Sequence, residues 1–534
     1  MFGNPGTEFA PLIDALARDA GRGRLPRPVT VPHEFLGVAM AHGHFLASGR
    51  AQMTAAHATV GAANGLTALI GAARMNVPLL FFAGRTPVRE TSAGGGRDKF
   101  IHWAQETFDP GGFAREWLKW DYEVRAPETA AAAVRRALSI ALSAPRGPVA
   151  LWAPREVLLA RVPDGPAQAA APARAAVPAA DDLDRAAEWL NSSRRGLIVA
   201  NRVGADLAAV AALAALAEKA GLAVAAPNAQ YMNLPAGHPC LIGPDAEGAL
   251  AEADFVLVLD VDAPWCPLER GPRRGAKVVQ AAPDPLFGRI PMRGHRADLA
   301  LAAAPLAVLE GLLARVRDSA PRSRRDWVAA RRRAFARALA ARREKALASR
   351  ALTEDLVAVR LSERLEGAVV FNELNLNGEL LAPFEPGGYF RSGSASGLGW
   401  GFGAALGHAL ARPDRTAIAV VGDGSYYLSN PAAAHWAARA HGLPVVVVVL
   451  NNGGMASLRD SVDRFFPGGA AAKSGRYALT DLRPSGDFAA LAEAFGGKGL
   501  TVRRPAELGP ALDAALASAR LEGRHALIDV RLDV

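Results

Sequence analysis

Short apolar segments recur along the whole chain, and most neighbouring pairs are separated by a stretch long enough to form a helix. The segments that read as strands are Val77 to Ala83, Val149 to Ala153, Gly196 to Ala200, Phe255 to Asp260, Ala368 to Asn372, Ala417 to Val421 and Val445 to Leu450. A strand that is apolar along its whole length is buried on both faces, which occurs mainly in parallel sheets covered by helices. The alternation therefore predicts an α/β protein made of three doubly wound parallel-sheet domains.

Composition excludes several classes of protein. A chain of 534 residues, 50% hydrophobic and 21% charged, can bury a large core and is neither disordered nor fibrous. Its longest apolar runs fall short of the roughly 20 residues that span a bilayer, so we expect no membrane segment. Two cysteines, Cys240 and Cys266, exclude a disulfide scaffold and favour a cytoplasmic location, as does a start without signal-peptide features.

Two connections divide the chain into domains. The stretch Pro163 to Ala180 is rich in Ala and Pro and has no periodic pattern, so it reads as a linker. The stretch Ala320 to Arg350 is a basic helical segment. We therefore predict domains at 1–162, 181–320 and 351–534.

The basic segment raises the question of nucleic-acid binding. The formal charge of +9 favours anionic ligands without requiring nucleic acid. A basic face on an interdomain helix is more often solvated or paired with another subunit, so we expect no nucleic-acid partner.

Polar residues follow two consecutive strands of the third domain. Gly422, Asp423, Gly424 and Ser425 come directly after one strand, and Asn451-Asn452 directly follow the next. Doubly wound sheets bind ligands at the carboxyl ends of their parallel strands. Mg²⁺ prefers six oxygen ligands arranged as an octahedron. The Asp423 carboxylate, the Asn452 amide oxygen and the Gly454 carbonyl could supply three of them. Each motif alone could instead be a tight turn.

The paired motifs resemble the thiamine diphosphate (ThDP) enzyme family, in the branch that contains acetolactate synthase, benzoylformate decarboxylase and pyruvate decarboxylase. The resemblance implies that Asp423, Asn452 and Gly454 hold Mg²⁺ and the cofactor diphosphate. It also implies pyrimidine-binding, Rossmann-like and diphosphate-binding domains in that order. Further residues of the same segment assigned to the cofactor are Gly422, Gly424, Ser425 and Met455.

A second family mark lies near the start of the chain, where Gly3 to Thr7 reads Gly-Asn-Pro-Gly-Thr and Pro32-His33-Glu34 follows. In such enzymes a glutamate in this place bonds the cofactor pyrimidine and promotes formation of the C2 ylid, so the resemblance assigns Glu34 to cofactor binding and catalysis. An isolated Glu at a helix start could instead simply interact with the helix dipole.

Three more residues are assigned to catalysis by the resemblance. His57 stands where benzoylformate and pyruvate decarboxylases have histidine and acetolactate synthase has none, and imidazole transfers protons near neutral pH. Thr7 aligns with a serine that contacts the substrate carboxylate, although it could be an N-cap for a helix starting near Phe9. Gln105 resembles a glutamine that reaches the active site of acetolactate synthase.

Other residues complete or qualify the likeness. Gly397 and Leu398 match the apolar prop beneath bent ThDP, and Glu373 fits a glutamate at the edge of the cofactor site. The full Gly-x-Gly-x-x-Gly spacing is absent around Gly397, which disfavours NAD. No counterpart of the FAD-holding arginine segment stands out, so FAD is unexpected.

Family members carry a helix and a strand ahead of Gly-Asn-Pro-Gly, so we expect the first sheet to lack an internal strand.

The resemblance implies an acetolactate-synthase-like ThDP and Mg²⁺ enzyme acting on a 2-oxo acid or an acyl-CoA analogue through an enamine. His57 favours simple decarboxylation, of benzoylformate decarboxylase type, whereas the overall likeness favours carboligation. A non-catalytic ThDP-fold regulatory subunit is the alternative from another class. We expect a homodimer at minimum and a homotetramer in full, because family sites combine the pyrimidine and diphosphate domains of different subunits.

Overall fold

The computed structural model describes residues 1–20, 22–23, 25–162, 169–373, 376–381, 385–393, 395 and 397–533. It contains three six-stranded sheets in which neighbouring strands run parallel, and helices cover the sheets. The prediction of three doubly wound units is confirmed. Residues 163–168 of the predicted linker lie outside the described residues, and the part from 169 to 179 has no regular structure.

The first sheet has the strand order β2-β1-β3-β4-β6-β5. Its strands are β1 Phe2–Asn4, β2 Val29–Thr30, β3 Gln52–Ala56, β4 Leu79–Arg85, β5 Trp120–Glu123 and β6 Val149–Pro154. The helices of this unit are α1 Ala10–Arg18, α2 Glu34–Ser48, α3 Ala58–Arg74, α4 Ile101–Ala104, α5 Ala130–Leu142 and α6 Arg155–Leu159.

The middle sheet has the order β12-β11-β10-β7-β8-β9. Its strands are β7 Gly196–Ala200, β8 Ala223–Ala225, β9 Leu241–Gly243, β10 Phe255–Leu259, β11 Lys277–Ala282 and β12 Leu299–Ala302. The helices are α7 Ala180–Ser192, α8 Leu207–Ala220, α9 Glu247–Leu250, α10 Pro305–Leu313 and the basic connecting helix α11 Arg322–Ala348.

The third sheet has the order β14-β13-β15-β16-β18-β17. Its strands are β13 Ala368–Asn372, β14 Tyr389–Arg391, β15 Thr416–Gly422, β16 Val446–Asn451, β17 Lys498–Val502 and β18 Ala526–Arg531. The helices are α12 Glu354–Ser362, α13 Trp400–Ala411, α14 Asp423–Leu428, α15 Pro431–Ala440, α16 Ala456–Phe465, α17 Ala470–Ser474, α18 Phe488–Ala494 and α19 Pro505–Arg520.

The expectation that the first sheet lacks an internal strand is wrong. Strand β1 pairs with β2 on one side and with β3 on the other, so it occupies an internal position although it has only three residues. Phe2 is 1% exposed, so this short strand contributes a large side chain to the core. Burial of Phe2 together with the ladder on both sides explains why so few residues suffice.

The first and third units share one hydrophobic core through the crossing of α2 and α13. Glycines allow the two helices to touch backbone to backbone: a Cβ on Gly43 would lie 1.9 Å from the Ala404 carbonyl oxygen, and one on Gly407 would lie 1.9 Å from that of Met40. The buried Trp400 indole donates a 3.1 Å hydrogen bond to His42 Nδ1 at this crossing.

Part of the basic connection is used in packing. Arg324 is 2% exposed and donates hydrogen bonds to backbone carbonyls of Ala220, Leu190 and Ser193, which anchors α11 to the middle unit. None of the helices in the described ranges is long and apolar enough to cross a bilayer.

Candidate active site

The polar residues predicted near the start of the chain gather at one end of the first sheet. Thr7 follows β1, Glu34 begins α2 shortly after β2, and His57 directly follows β3. These strands are neighbours in the sheet, and in a parallel sheet their carboxyl ends lie together. Strand topology therefore brings side chains that are distant in sequence to a single edge.

Glu34 is held by two amides. Its carboxylate, 7% exposed, accepts a 2.9 Å hydrogen bond from Asn4 Nδ2 and a 3.2 Å hydrogen bond from Asn64 Nδ2. A Cβ on Gly61 would lie 2.6 Å from Glu34 Oε1, so the neighbouring helix can approach this closely only because residue 61 is glycine. The carboxylate is buried and fixed without a cationic partner among these contacts.

His57 is paired with a carboxylate that sequence reasoning missed. Its Nδ1 lies 3.0 and 2.9 Å from the two oxygens of Glu8, which also accepts a 3.0 Å hydrogen bond from the Ala58 backbone N–H. Glu8 is 5% exposed, whereas the His57 side chain is 24% exposed. The signal that could have identified Glu8 is an acidic residue directly after the Gly-Asn-Pro-Gly-Thr motif.

The surroundings of His57 favour its protonated form. The hydrogen bond to Glu8 is the largest influence that raises the pKa of His57 above 6.5; partial burial opposes it, and the charges of Glu8 and Glu34 add to it. The side chain of Gln105 also interacts with the imidazole in this direction. The imidazole therefore keeps its proton to higher pH than a free histidine side chain does.

Two glycines make room for this pair. A Cβ on Gly6 would lie 1.8 Å from His57 Nδ1, and a Cβ on Gly84, at the end of β4, would lie 2.2 Å from Glu8 Cγ. No side chain larger than hydrogen fits at either position without moving the pair. The chain thus encloses Glu8 and His57 between two backbone segments.

Thr7 and Gln105 lie beside the same pair. Thr7 begins a 3₁₀ turn, Thr7–Phe9, and the alternative that its hydroxyl caps the following helix is wrong, because Phe9 is the N-cap of α1 and makes no side-chain capping bond. Gln105 ends α4, and its carbonyl accepts a 3.0 Å hydrogen bond from Thr59 Oγ1. Gln105 is thereby tied to the helix that His57 caps.

A second polar cluster lies at the carboxyl ends of β15 and β16 in the third sheet. Asp423 begins α14 directly after β15, and Asn452 follows β16. The Gly454 backbone N–H donates to Asp423 Oδ2 at 3.1 Å and to Asn452 Oδ1 at 3.0 Å, so one nitrogen links both side-chain oxygens. The three predicted metal-binding residues therefore do meet.

This cluster fits a divalent cation. Asp423 is 2% exposed, burial raises the pKa of its carboxyl, and its hydrogen-bond donors in the described part of the chain are backbone N–H groups rather than cations. A buried carboxylate without a cationic side chain is costly, and a bound Mg²⁺ would compensate it. Within the described residues no three His, Cys, Asp or Glu side chains form a metal-binding group, so this site would depend on amide and carbonyl oxygens.

The remaining predicted cofactor residues also belong to the third unit. Glu373, fully buried at the end of β13, accepts hydrogen bonds from the N–H groups of Trp400 (3.1 Å) and Gly401 (2.9 Å), and burial raises its pKa to about 7. Leu398 has a φ of 57°, a left-handed conformation that is strained for leucine. Gly397 packs against Thr67 of α3. Gly422, Gly424 and Ser425 are at the start of α14, and Met455 is the N-cap of α16.

Three doubly wound units with polar clusters at the strand ends of the outer two are typical of cofactor-binding α/β proteins. Family models agree domain by domain. The thiamine pyrophosphate enzyme N-terminal TPP binding domain matches residues 1–111, the central domain matches 183–312, and the C-terminal TPP binding domain matches 377–530. The chain therefore belongs to the thiamine pyrophosphate enzyme family.

Individual relatives support the same branch. The chain is 30% identical to benzoylformate decarboxylase of Pseudomonas aeruginosa over 97% of this chain and 94% of the relative. It is 27% identical to the acetolactate synthase large subunit IlvG of Mycobacterium tuberculosis, over 89% of this chain and 83% of the relative. The crystal structure of benzoylformate decarboxylase from Polynucleobacter necessarius has the same fold, with a TM-score of 0.81, 21% identity and coverage of 99% and 95% of the two chains.

Proposed function

We propose that the protein is a ThDP- and Mg²⁺-dependent enzyme that decarboxylates a 2-oxo acid to the aldehyde and CO₂. The observation that carries this proposal is the Glu8–His57 pair, since the Glu8 carboxylate 2.9 Å from the imidazole raises the His57 pKa and so favours a role for His57 as proton donor. Protonation of the carbon that loses CO₂ is the step that distinguishes simple decarboxylation from carbon–carbon bond formation. The overall likeness to benzoylformate decarboxylase supports the same assignment.

The residues of the first unit would divide the work as follows. Bound ThDP supplies the nucleophilic carbon and the electron sink for loss of CO₂. Glu34, fixed by Asn4 and Asn64, would hold the proton at the cofactor's pyrimidine nitrogen. His57 would deliver the proton that replaces the lost carboxyl group. The Thr7 hydroxyl would bind the substrate carboxylate.

The third unit would hold the cofactor's diphosphate and the metal. Asp423, Asn452 and the Gly454 carbonyl would bind Mg²⁺, which would supply positive charge to neutralise the cofactor's diphosphate. The glycines beside Asp423 allow the backbone to come close to the phosphates. The residues proposed to line the rest of the cofactor site are Glu373, Gly397, Leu398, Gly422, Gly424, Ser425 and Met455.

Carboligation, as in acetolactate synthase, is the second candidate. Gln105, which faces His57, favours it, as does the likeness to the acetolactate synthase large subunit. The two candidates differ in the fate of the carbon that loses CO₂, which either gains a proton or attacks a second carbonyl. The products therefore distinguish them, and FAD is not required by either route.

A cofactor titration followed by product analysis tests the proposal. Calorimetry should detect ThDP binding that depends on Mg²⁺ and is lost in Asp423→Asn, whereas Asp414→Asn, at an exposed carboxylate paired with Arg412, should bind normally. A panel of 2-oxo acids should then give CO₂ and aldehyde, with 2-hydroxy ketone as the product if carboligation dominates. Absence of ThDP binding by folded protein would overturn the enzyme assignment in favour of a non-catalytic subunit.

We further propose a homodimer as the minimal unit and a homotetramer as the full assembly. Family likeness supports sites in which Glu34 of one subunit faces Asp423 of another. The proposed location is the cytoplasm, in keeping with the two free cysteines, Cys240 and Cys266.

A further inference from the structure

Glu106, the residue after Gln105, is at the centre of a dense hydrogen-bond network. Its Oε2 accepts a 2.7 Å hydrogen bond from Thr86 Oγ1 and one from Arg97 Nη2. Its Oε1 accepts a 3.3 Å hydrogen bond from Arg85 Nη2 and one from the Thr107 backbone N–H. The side chain is only 27% exposed, so these charge-assisted bonds are partly shielded from solvent.

Two of the anchors of Glu106 come from the strand end that also supports His57. Arg85 is the last residue of β4 and Thr86 follows it, while Gly84, directly before them, makes room for Glu8. Glu106 and the Glu8–His57 pair therefore both lie against the same three residues at the end of β4. Motion of the Glu106 segment relative to His57 requires these bonds to break.

Outside the Glu106 network, the Gln105 segment is held by the hydrogen bond from Thr59 to the Gln105 carbonyl and by the buried His102. Helix α4 has four residues, and the nearby Phe100 and Phe108 are 95% and 110% exposed, so their rings contribute no burial within the chain. Trp103 packs beneath the Arg97 guanidinium, 5.3 Å from its ring centre, and is still 48% exposed. A short segment with few buried contacts is expected to open easily unless polar bonds fix it.

We infer that Glu106 is a positioning residue that holds Gln105 against His57 through its bonds to Arg85, Thr86 and Arg97. Glu106 would affect His57 indirectly, through Gln105, because its own carboxylate is hydrogen-bonded to the end of β4 and to the Arg97 segment. Its catalytic consequence rests on the proposed function, but its effect on the His57 ring does not.

The test is the His57 pKa, measured by NMR of the imidazole ring in cofactor-free protein. Glu106→Gln should lower the His57 pKa by as much as Gln105→Ala does, and the double variant should show no further fall, because both changes remove the same contact. Glu8 and Glu34, the charged groups that face the ring, are retained in all of these variants.

A second variant separates positioning from simple electrostatics. Loss of a negative charge at Glu106 lowers a nearby histidine pKa through space, whereas loss of the positive charge in Arg97→Gln raises it. Positioning predicts a lower His57 pKa in both variants, since each frees the Gln105 segment. Glu123→Gln is the matched control, because Glu123 pairs with Arg85 without bonding this segment, and it should leave the pKa unchanged.

The inference is overturned if Arg97→Gln raises the His57 pKa, if the Gln105 and Glu106 effects add, or if Glu123→Gln has the same effect as Glu106→Gln. In active enzyme Glu106→Gln should lower kcat about ten- to a hundredfold with a smaller change in KM. If no 2-oxo acid reacts, the proposed function fails while the ring titration still decides the role of Glu106.

Discussion

At the scale of single residues, the site depends on the His57 imidazole, whose pKa is influenced most by the hydrogen bond to Glu8. Glu8→Gln keeps the shape of the side chain and removes its charge, so we expect the His57 pKa to fall and the proton donor to be lost at lower pH. NMR titration of the ring and the pH profile of kcat should shift together toward acid. A shift in the pH profile of kcat without a shift in the His57 pKa would contradict the role of His57.

The same pair predicts how stability varies with pH. Because folding raises the His57 pKa above its ordinary 6.5, the pair stabilises the folded state below about pH 6.5. This contribution is lost as the pH rises through the folded-state pKa. The difference in unfolding free energy between wild type and Glu8→Gln should therefore shrink from pH 6 toward alkaline pH in urea titrations.

At the residue scale, the sequence was sufficient to predict that side chains following neighbouring strands lie close together. Asp423 and Asn452 follow strands within one unit, so adjacency in the sheet could be anticipated from the strand pattern. Glu8 was missed because its partner His57 is 49 residues away, and a contact of that kind depends on β1 lying beside β3. Asn4 and Asn64 were missed as partners of Glu34 for the same reason.

At the scale of elements, the crossing of α2 and α13 depends on glycine. Gly43→Ala would place a Cβ 1.9 Å from the Ala404 carbonyl oxygen, so we expect the helices to separate and the free energy of unfolding to fall by about 1–3 kcal/mol. Trp400 emission should change as its bond to His42 lengthens. Gly37→Ala in the same helix is the control, since its Cβ would meet nothing nearer than 3.9 Å, and it should be neutral or stabilising.

Element positions could be predicted well from apolar runs and less well at the start of the chain. The runs Gly196 to Ala200 and Ala368 to Asn372 were predicted with their observed bounds, and Val77 to Ala83 is displaced by two residues from β4. Strand β1 was not predicted because three residues carry no measurable periodicity. Its existence depends on pairing with β2 and β3, which is a tertiary property.

At the scale of the whole molecule, we predict active sites that are shared between subunits. Glu34→Gln and Asp423→Asn should each be inactive alone. When they are co-expressed, half of the dimers should be mixed, each with one intact site of two, so activity should recover to about a quarter of wild type. No recovery in mixed dimers isolated by differential tagging would mean that each chain supplies both residues to its own site.

The central claim is that His57, held by Glu8, donates the proton that completes 2-oxo acid decarboxylation. The most direct test measures aldehyde release from the best 2-oxo acid by wild type and by His57→Phe, both saturated with ThDP and Mg²⁺. We predict a loss of about 10²- to 10⁴-fold in aldehyde formation with cofactor affinity unchanged. Aldehyde release at the wild-type rate by His57→Phe would contradict the account.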